Sequence, residues 1–137
     1  MIILKKTHNR YSLKSGQANS ILRFGKYGIK VITFGRLTKE QLESILWILL
    51  KKLKFLSNNK KTFKFWNLLI LNSTLTKLSS ESRMGKGKGA IYTTALFIKP
   101  GTIIFEFDNI SMYQMLNIFK FMQKLLPFTI SLQKNYI

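Results

Sequence analysis

Acidic residues are nearly missing from this chain: five Asp and Glu stand against 23 Lys and Arg in 137 residues, a formal net charge of +18. Charge this one-sided repels itself in a compact state unless a polyanion neutralises it. Cysteine is absent, which excludes disulfides and thiolate chemistry. There is one histidine, His8. A zinc site built on it would need carboxylates to complete it, and those are scarce, so no metal is expected. The longest apolar run, Ile45 to Leu50, is too short to span a bilayer, so no membrane insertion is expected. Met1 to Leu4 is too short for the apolar region of a signal peptide, and no Arg- and Ser-rich amphipathic stretch follows it. The expectation is a protein made in the compartment where it works.

Apolar residues, by contrast, are plentiful. Hydrophobic residues make up 46% and aromatics 13%, so the basic surface wraps an apolar interior and the chain is not disordered by composition. The length fits one domain with a real core. Nucleic acid is the commonest partner for so basic a domain, and an anionic membrane surface is the second. Lys far outnumbers Arg, and Ile, Phe and Asn are abundant. These residues have AT-rich codons, as in an organelle genome or an AT-rich bacterium.

Along the chain, residues 1–27 read as an extended basic arm and 28–137 as a single α+β domain. Gly28 to Phe34 alternates as a short strand. Thr38 to Gln41 forms a capping box that starts a helix running to about Phe55, with Leu42, Ile45, Leu46, Leu49 and Leu53 at helical spacing. Thr62 to Leu71 reads as a buried strand and Asn72 to Ser82 as a polar, turn-like stretch. Ile91 to Ile98 is a strand apolar on both faces. Lys99 to Thr102 is a turn with Pro and Gly at type II positions, and Ile103 to Phe107 returns as its hairpin partner. Ser111 caps a second helix with a stripe of Met112, Met115, Leu116, Phe119, Met122 and Leu126, stopped by Pro127. Phe128 to Leu132 reads as a final strand. The class is α+β: two helices packed on a mainly antiparallel sheet, an α/β sandwich, with the basic N-terminal arm and a glycine-rich loop added.

That loop, Arg83-Met84-Gly85-Lys86-Gly87-Lys88-Gly89, is the most unusual stretch. Glycines at alternate positions let the backbone approach another surface closely, and the cations between them supply counter-charge to phosphates. The bland alternative is a flexible solvent-exposed connection. A nucleotide-binding loop fails on spacing, because no hydroxyl follows the lysine and a strand, not a helix, comes next. In the arm, Lys5, Lys6 and Arg10 suit a phosphate backbone. Tyr11, Phe24 and Tyr27 lie among the cations, either to stack on bases or to pack on the domain. Glu106 and Asp108 share a strand face. They read as a solvated face rather than a general acid/base pair, since no nucleophile accompanies them. The helix with Trp47, Ile48 and Leu50 and its trailing lysines reads either as a core helix or as one lying on an anionic membrane. No catalytic residue and no cofactor is expected.

Taken together these segments resemble the bacterial-type large-subunit ribosomal protein sixteen family. Ser82 to Gly89 looks like its hallmark loop. Phe24-Gly25-Lys26-Tyr27-Gly28-Ile29-Lys30 is similar to its FG-x-[FY]-G-[LI]-K segment, Gly35 to Thr38 to the start of its first helix, Lys99-Pro100-Gly101 to its hairpin turn, and Leu125 to Phe128 to its helix end. Lys5-Lys6-Thr7 resembles its basic start.

The resemblance implies a structural protein of the large ribosomal subunit, not an enzyme and not a homo-oligomer. It would bind large-subunit rRNA, neighbour other ribosomal proteins, and approach A-site tRNA with its loop. It implies RNA contacts at Lys5, Lys6, Arg10, Arg23, Lys26, Arg36, Arg83, Lys86 and Lys88, with Gly85, Gly87 and Gly89 permitting close approach. With the residue usage it places the protein in the mitochondrial matrix, on the mitochondrial ribosome, with plastid or bacterial cytoplasm as the alternative. A basic membrane-surface protein is the alternative of another class. Asn9 to Ser20 is shorter and less basic than the family pattern. Trp47 to Leu50 stands where the family carries Arg and Ala, so this face is expected to meet a protein.

Overall fold

The computed structural model describes residues 5–7, 21–58, 62–71, 73–79, 85 and 87–135. Its strands are β1 (Tyr27–Val31), β2 (Gly35–Thr38), β3 (Lys64–Asn67), β4 (Ser73–Lys77), β5 (Ala90–Ile98), β6 (Ile103–Asp108) and β7 (Ile130–Lys134). The helices are α1 (Lys39–Leu56), between β2 and β3, and α2 (Met112–Leu125), between β6 and β7. Two antiparallel sheets result. A four-stranded sheet runs β3-β6-β1-β7, and a three-stranded sheet runs β2-β5-β4. The fold is thus α+β, with two helices, as the sequence reading expects.

Both helices start where the sequence places them. Thr38 Oγ1 accepts from the Gln41 backbone N–H (3.4 Å) while Gln41 Oε1 accepts from the Thr38 N–H (3.1 Å). Ser111 and Gln114 repeat the box on α2. Each box satisfies helix-end donors that have no partner within the helix. The side-chain amide of Gln114 also donates to the Leu56 carbonyl (2.9 Å), fixing the start of α2 against the end of α1. Leu42, Ile45, Leu49 and Leu53 from α1 meet Met115, Ile118 and Met122 from α2 in the core. Beneath them lie Tyr27, Ile29, Val31, Phe105 and Phe107 of the large sheet. Leu37 and Ile98 extend the same core into the small sheet.

Five details of the fold differ from the sequence expectations. First, β5 and β6 are not a hairpin. The turn has the expected form, with Gly101 at φ +88° and the Thr102 N–H donating to the Lys99 carbonyl (3.3 Å). Yet Gly101 donates to the Val31 carbonyl (2.6 Å) and Val31 to the Thr102 carbonyl (2.9 Å). Those bonds carry the chain into the other sheet, where β6 lies between β1 and β3 with no free edge for β5.

Second, the strand expected over Thr62 to Leu71 is only the edge strand β3. Asn67 Oδ1 accepts from the Leu69 N–H (3.1 Å), a local bond that ends the ladder. Third, the polar stretch from Asn72 contains β4. Thr74 and Thr76 are β-branched, and β5 supplies the partner they need. Fourth, the buried stripe of α2 is Met115, Ile118 and Met122, whereas Met112 and Leu116 are exposed. Fifth, the strand β2, directly before α1, has no counterpart in the sequence reading. Among the described residues, no helix is long and apolar enough to cross a membrane.

Candidate nucleic-acid interface

Two basic segments lie against the folded domain, and different chemistry holds each. The first crosses the large sheet on the face away from the helices. On this face Glu106 of β6 stands between Gly28 of β1 and Trp66 of β3. Leu22 rests on Gly28, its side-chain end at the place a Cβ would occupy. Glu106 was expected on a solvated face with Asp108, but it is fully buried. Its carboxylate accepts three successive backbone N–H groups: Arg23 to Oε1 (3.0 Å), Phe24 to Oε2 (2.6 Å) and Gly25 to Oε2 (2.9 Å). Successive amides converging on one anion form a nest, and this one compensates a charge that could not otherwise be buried. The acid therefore positions the basic segment and is not a catalytic candidate.

The nest fixes the direction of the side chains around it. Arg23 and Lys26 are exposed. Phe24 stacks on Trp66, with centroids 5.8 Å apart and planes 24° apart. Tyr27, weighed as a base-stacking residue, is in the core, and Tyr11 lies outside the described residues.

The second segment, Lys5 to Thr7, docks on β4 and the end of the glycine loop. Thr7 N–H donates to Thr74 Oγ1 (3.1 Å) and Thr74 N–H donates to Thr7 Oγ1 (2.9 Å). Thr74 Oγ1 donates in turn to the Lys5 carbonyl (2.9 Å). Lys88 Nζ donates to the Thr7 carbonyl (2.6 Å), and Lys6 Nζ to the Lys88 carbonyl (3.1 Å). Lys5, Lys6 and Lys88 are all exposed, so this clasp forms in contact with water.

The three loop glycines have different roles. Gly85 and Gly87 adopt φ near +94° and +93°, with open space where a Cβ would be. They serve backbone conformation. At Gly89 a Cβ would stand 2.5 Å from the Lys77 carbonyl oxygen, so its close approach is to β4 of the same chain. Arg10, Arg83 and Lys86 lie outside the described residues. Arg36 is exposed on β2, opposite Phe97, apart from both segments.

On α1, Glu40 joins the helix start to the small sheet: the Thr93 hydroxyl donates to its carboxylate (2.8 and 2.9 Å). Its own backbone N–H, and then the Thr93 hydroxyl, hold its pKa below the usual glutamate value. The apolar stripe of α1 is consumed by the core, which leaves little for a membrane. Trp47 (66% exposed) and Leu50 remain outside that core, with the Lys51 ammonium 5.1 Å from the Trp47 ring centroid. Among the described residues no group of three His, Asp or Glu could hold a metal.

Sequence reasoning missed Glu106, Trp66, Thr7 and Thr74. For Glu106 a signal existed: a lone acid between Phe105 and Phe107, in a chain with five acids, has to find a partner. The threonines gave none.

The family model for ribosomal protein L16p/L10e matches residues 3–133. The chain is 49% identical over 130 residues to large ribosomal subunit protein uL16m of Chondrus crispus, covering 95% of this chain and 94% of that one. It is 38% identical over 93 residues to uL16 of Wigglesworthia glossinidia brevipalpis (68% of this chain, 64% of that one). With uL16 of Psychrobacter arcticus it is 32% identical over 107 residues (78% and 74%). A basic α+β domain that leaves its cations exposed and tethers its basic segments by their backbones is what a polyanion-bound scaffold requires, and the chain belongs to the ribosomal protein L16p/L10e family, a structural component of the large ribosomal subunit and not an enzyme.

Proposed function

We propose that this chain holds large-subunit rRNA of a mitochondrial ribosome through its two tethered basic segments and presents its glycine loop to A-site tRNA. The carrying observation is the clasp between Lys6, Thr7 and Lys88, which joins the basic start of the chain to the end of the loop. Lys5, Lys6, Arg10, Arg23, Lys26 and Arg36 are assigned to rRNA phosphates. Arg83, Lys86 and Lys88 are assigned to RNA near the tRNA, with Gly85 and Gly87 letting the ribbon pass close. Each phosphate contact releases counterions, so binding of the free protein weakens steeply as salt rises. The mitochondrial assignment rests on the relative named uL16m and on the abundance of Lys, Ile, Phe and Asn, residues whose codons are AT-rich. Trp47 and Leu50, exposed on α1, are assigned to a neighbouring ribosomal protein.

The test is sedimentation of a tagged chain through sucrose gradients of mitochondrial lysate. Co-migration with the large subunit that resists moderate salt is expected. A triple Arg83→Ala, Lys86→Ala, Lys88→Ala chain is expected to enter subunits but impair tRNA accommodation or subunit maturation. Normal translation by that mutant would refute the loop assignment, and migration as free protein would refute the whole reading.

A further inference from the structure

We propose that Phe24 and Trp66 form a stacking platform for one unpaired RNA base, with Arg23, Lys26 and Lys64 neutralising the phosphates beside it. The proposal rests on the rRNA-binding reading and specifies a site within it. Phe24 is an aromatic residue left 54% exposed, although the segment carrying it is well anchored. One face of its ring lies against Trp66, and the exposure leaves the remainder to solvent. Its backbone is pinned on both sides, by Arg23 and Gly25 as well as by its own N–H, all bound to Glu106. A planar ligand arriving on this ring meets a surface already fixed, so little ordering opposes stacking.

The charge around the ring fits the same ligand. Arg23 precedes Phe24, Lys26 follows Gly25, and Lys64 lies two residues before Trp66 on the same face of β3. All three are exposed. Glu106 does not offset them, because its carboxylate is buried and occupied by three amides. Asp108, opposite Lys64, is the one other acid on this face of β6. Cations around an aromatic face are the arrangement that holds a nucleotide by its base and its phosphates together. A paired base inside an A-form helix cannot reach a protruding ring, so the ligand is an unpaired base in a loop, bulge or single strand.

The chain has two tryptophans, so Trp47→Phe leaves Trp66 as the sole indole reporter. The full-length W47F chain is titrated with three probes of equal length: a single-stranded oligoribonucleotide, an abasic oligomer, and an RNA duplex. The single strand is expected to quench Trp66 emission, and the other two to leave it nearly unchanged. Phe24→Leu keeps an apolar side chain on Trp66 but removes the ring. It is expected to weaken single-strand binding roughly tenfold while leaving duplex binding unaltered. Phe24→Tyr is expected to restore it. Equal quenching by the abasic oligomer, or equal loss on single strand and duplex in F24L at unchanged melting temperature, would overturn the platform and leave the rRNA reading standing. Absence of binding to any of the three at moderate salt would overturn both.

Discussion

The basic segments at Arg23 to Gly25 and at Lys5 to Thr7 both lie against the domain through their backbones, yet they are built for different degrees of permanence. The first is held by a buried anion. Its three bonds are charge-assisted, end on a fully buried carboxylate and are backed by Leu22 on Gly28. The second is held by hydroxyls and ammonium groups that water can replace. Charge-assisted bonds away from solvent are worth about twice a neutral one, and losing one partner leaves the others with unmet buried polarity. Exposed bonds contribute little net stability, because water competes for each group. The first segment is thus part of the fold, whereas the second can exchange its intramolecular partners for phosphate oxygens. The lesson is that similar basic segments can differ in function through what their backbones touch.

Glu106→Ala should separate the two most sharply. It strips three N–H donors, one buried and two part-buried, of their shared acceptor, so a loss of about 3 kcal/mol is expected. Thermal unfolding would show this as a fall on the order of 10 °C. Glu106→Gln should fall between, since its amide cannot accept from Arg23. If Glu106→Ala melted like the parent, the nest would not anchor the segment.

Next in size is Gly89→Ala, which puts a Cβ 2.5 Å from the Lys77 carbonyl oxygen. A cost of about 1–3 kcal/mol is expected from forced backbone movement. Hydrogen exchange should show it as faster opening of the β4–β5 ladder, with the β1–β6 ladder unaffected. Uniform loss of protection would show that the two sheets do not open separately.

Thr74→Val removes the bond accepted from the Thr7 N–H and the one donated to the Lys5 carbonyl, both made by Oγ1, while keeping the branched shape and the Thr74 N–H bond to Thr7 Oγ1. Because these groups contact water, a change of under about 1 kcal/mol is expected. Limited proteolysis before Thr7 should nevertheless accelerate. A large drop in melting temperature would contradict the contrast drawn between the two segments.

The smallest expected effect is at Glu40, which ties α1 to β5. Its pKa is lowered in the fold, so its contribution is present above the ordinary glutamate pKa and is lost as pH falls through the depressed value. Glu40→Gln should therefore flatten the melting temperature against pH below about pH 4.5 and change little at neutral pH. An unchanged acid limb would show that the Thr93 bond does not favour the ionised form.

Much of the fold was legible locally. Thr38 with Gln41, and Ser111 with Gln114, announce helix starts because capping needs only residues three apart. The type II turn at Pro100-Gly101 is equally local. Apart from the early end of β3, the errors concern partners distant in sequence. The β5–β6 hairpin looked natural, but hydrogen bonds from Val31 and Gly101 divert the chain. β4 looked like a turn because its Thr and Ser residues form a strand only when β5 lies beside them. At the candidate site the cations could be read directly, while their anchors, Glu106, Thr7 and Thr74, are bonded across gaps of more than sixty residues.

By itself the sequence determined the charge, the apolar interior, both helix starts and the glycine loop, because composition and short spacings carry those properties. Only the tertiary structure decided which acid is buried, which sheet each strand joins, and which aromatic faces outward. Burial and pairing are properties of neighbours, and the neighbours of Glu106, Phe24 and Lys88 are supplied by remote parts of the chain.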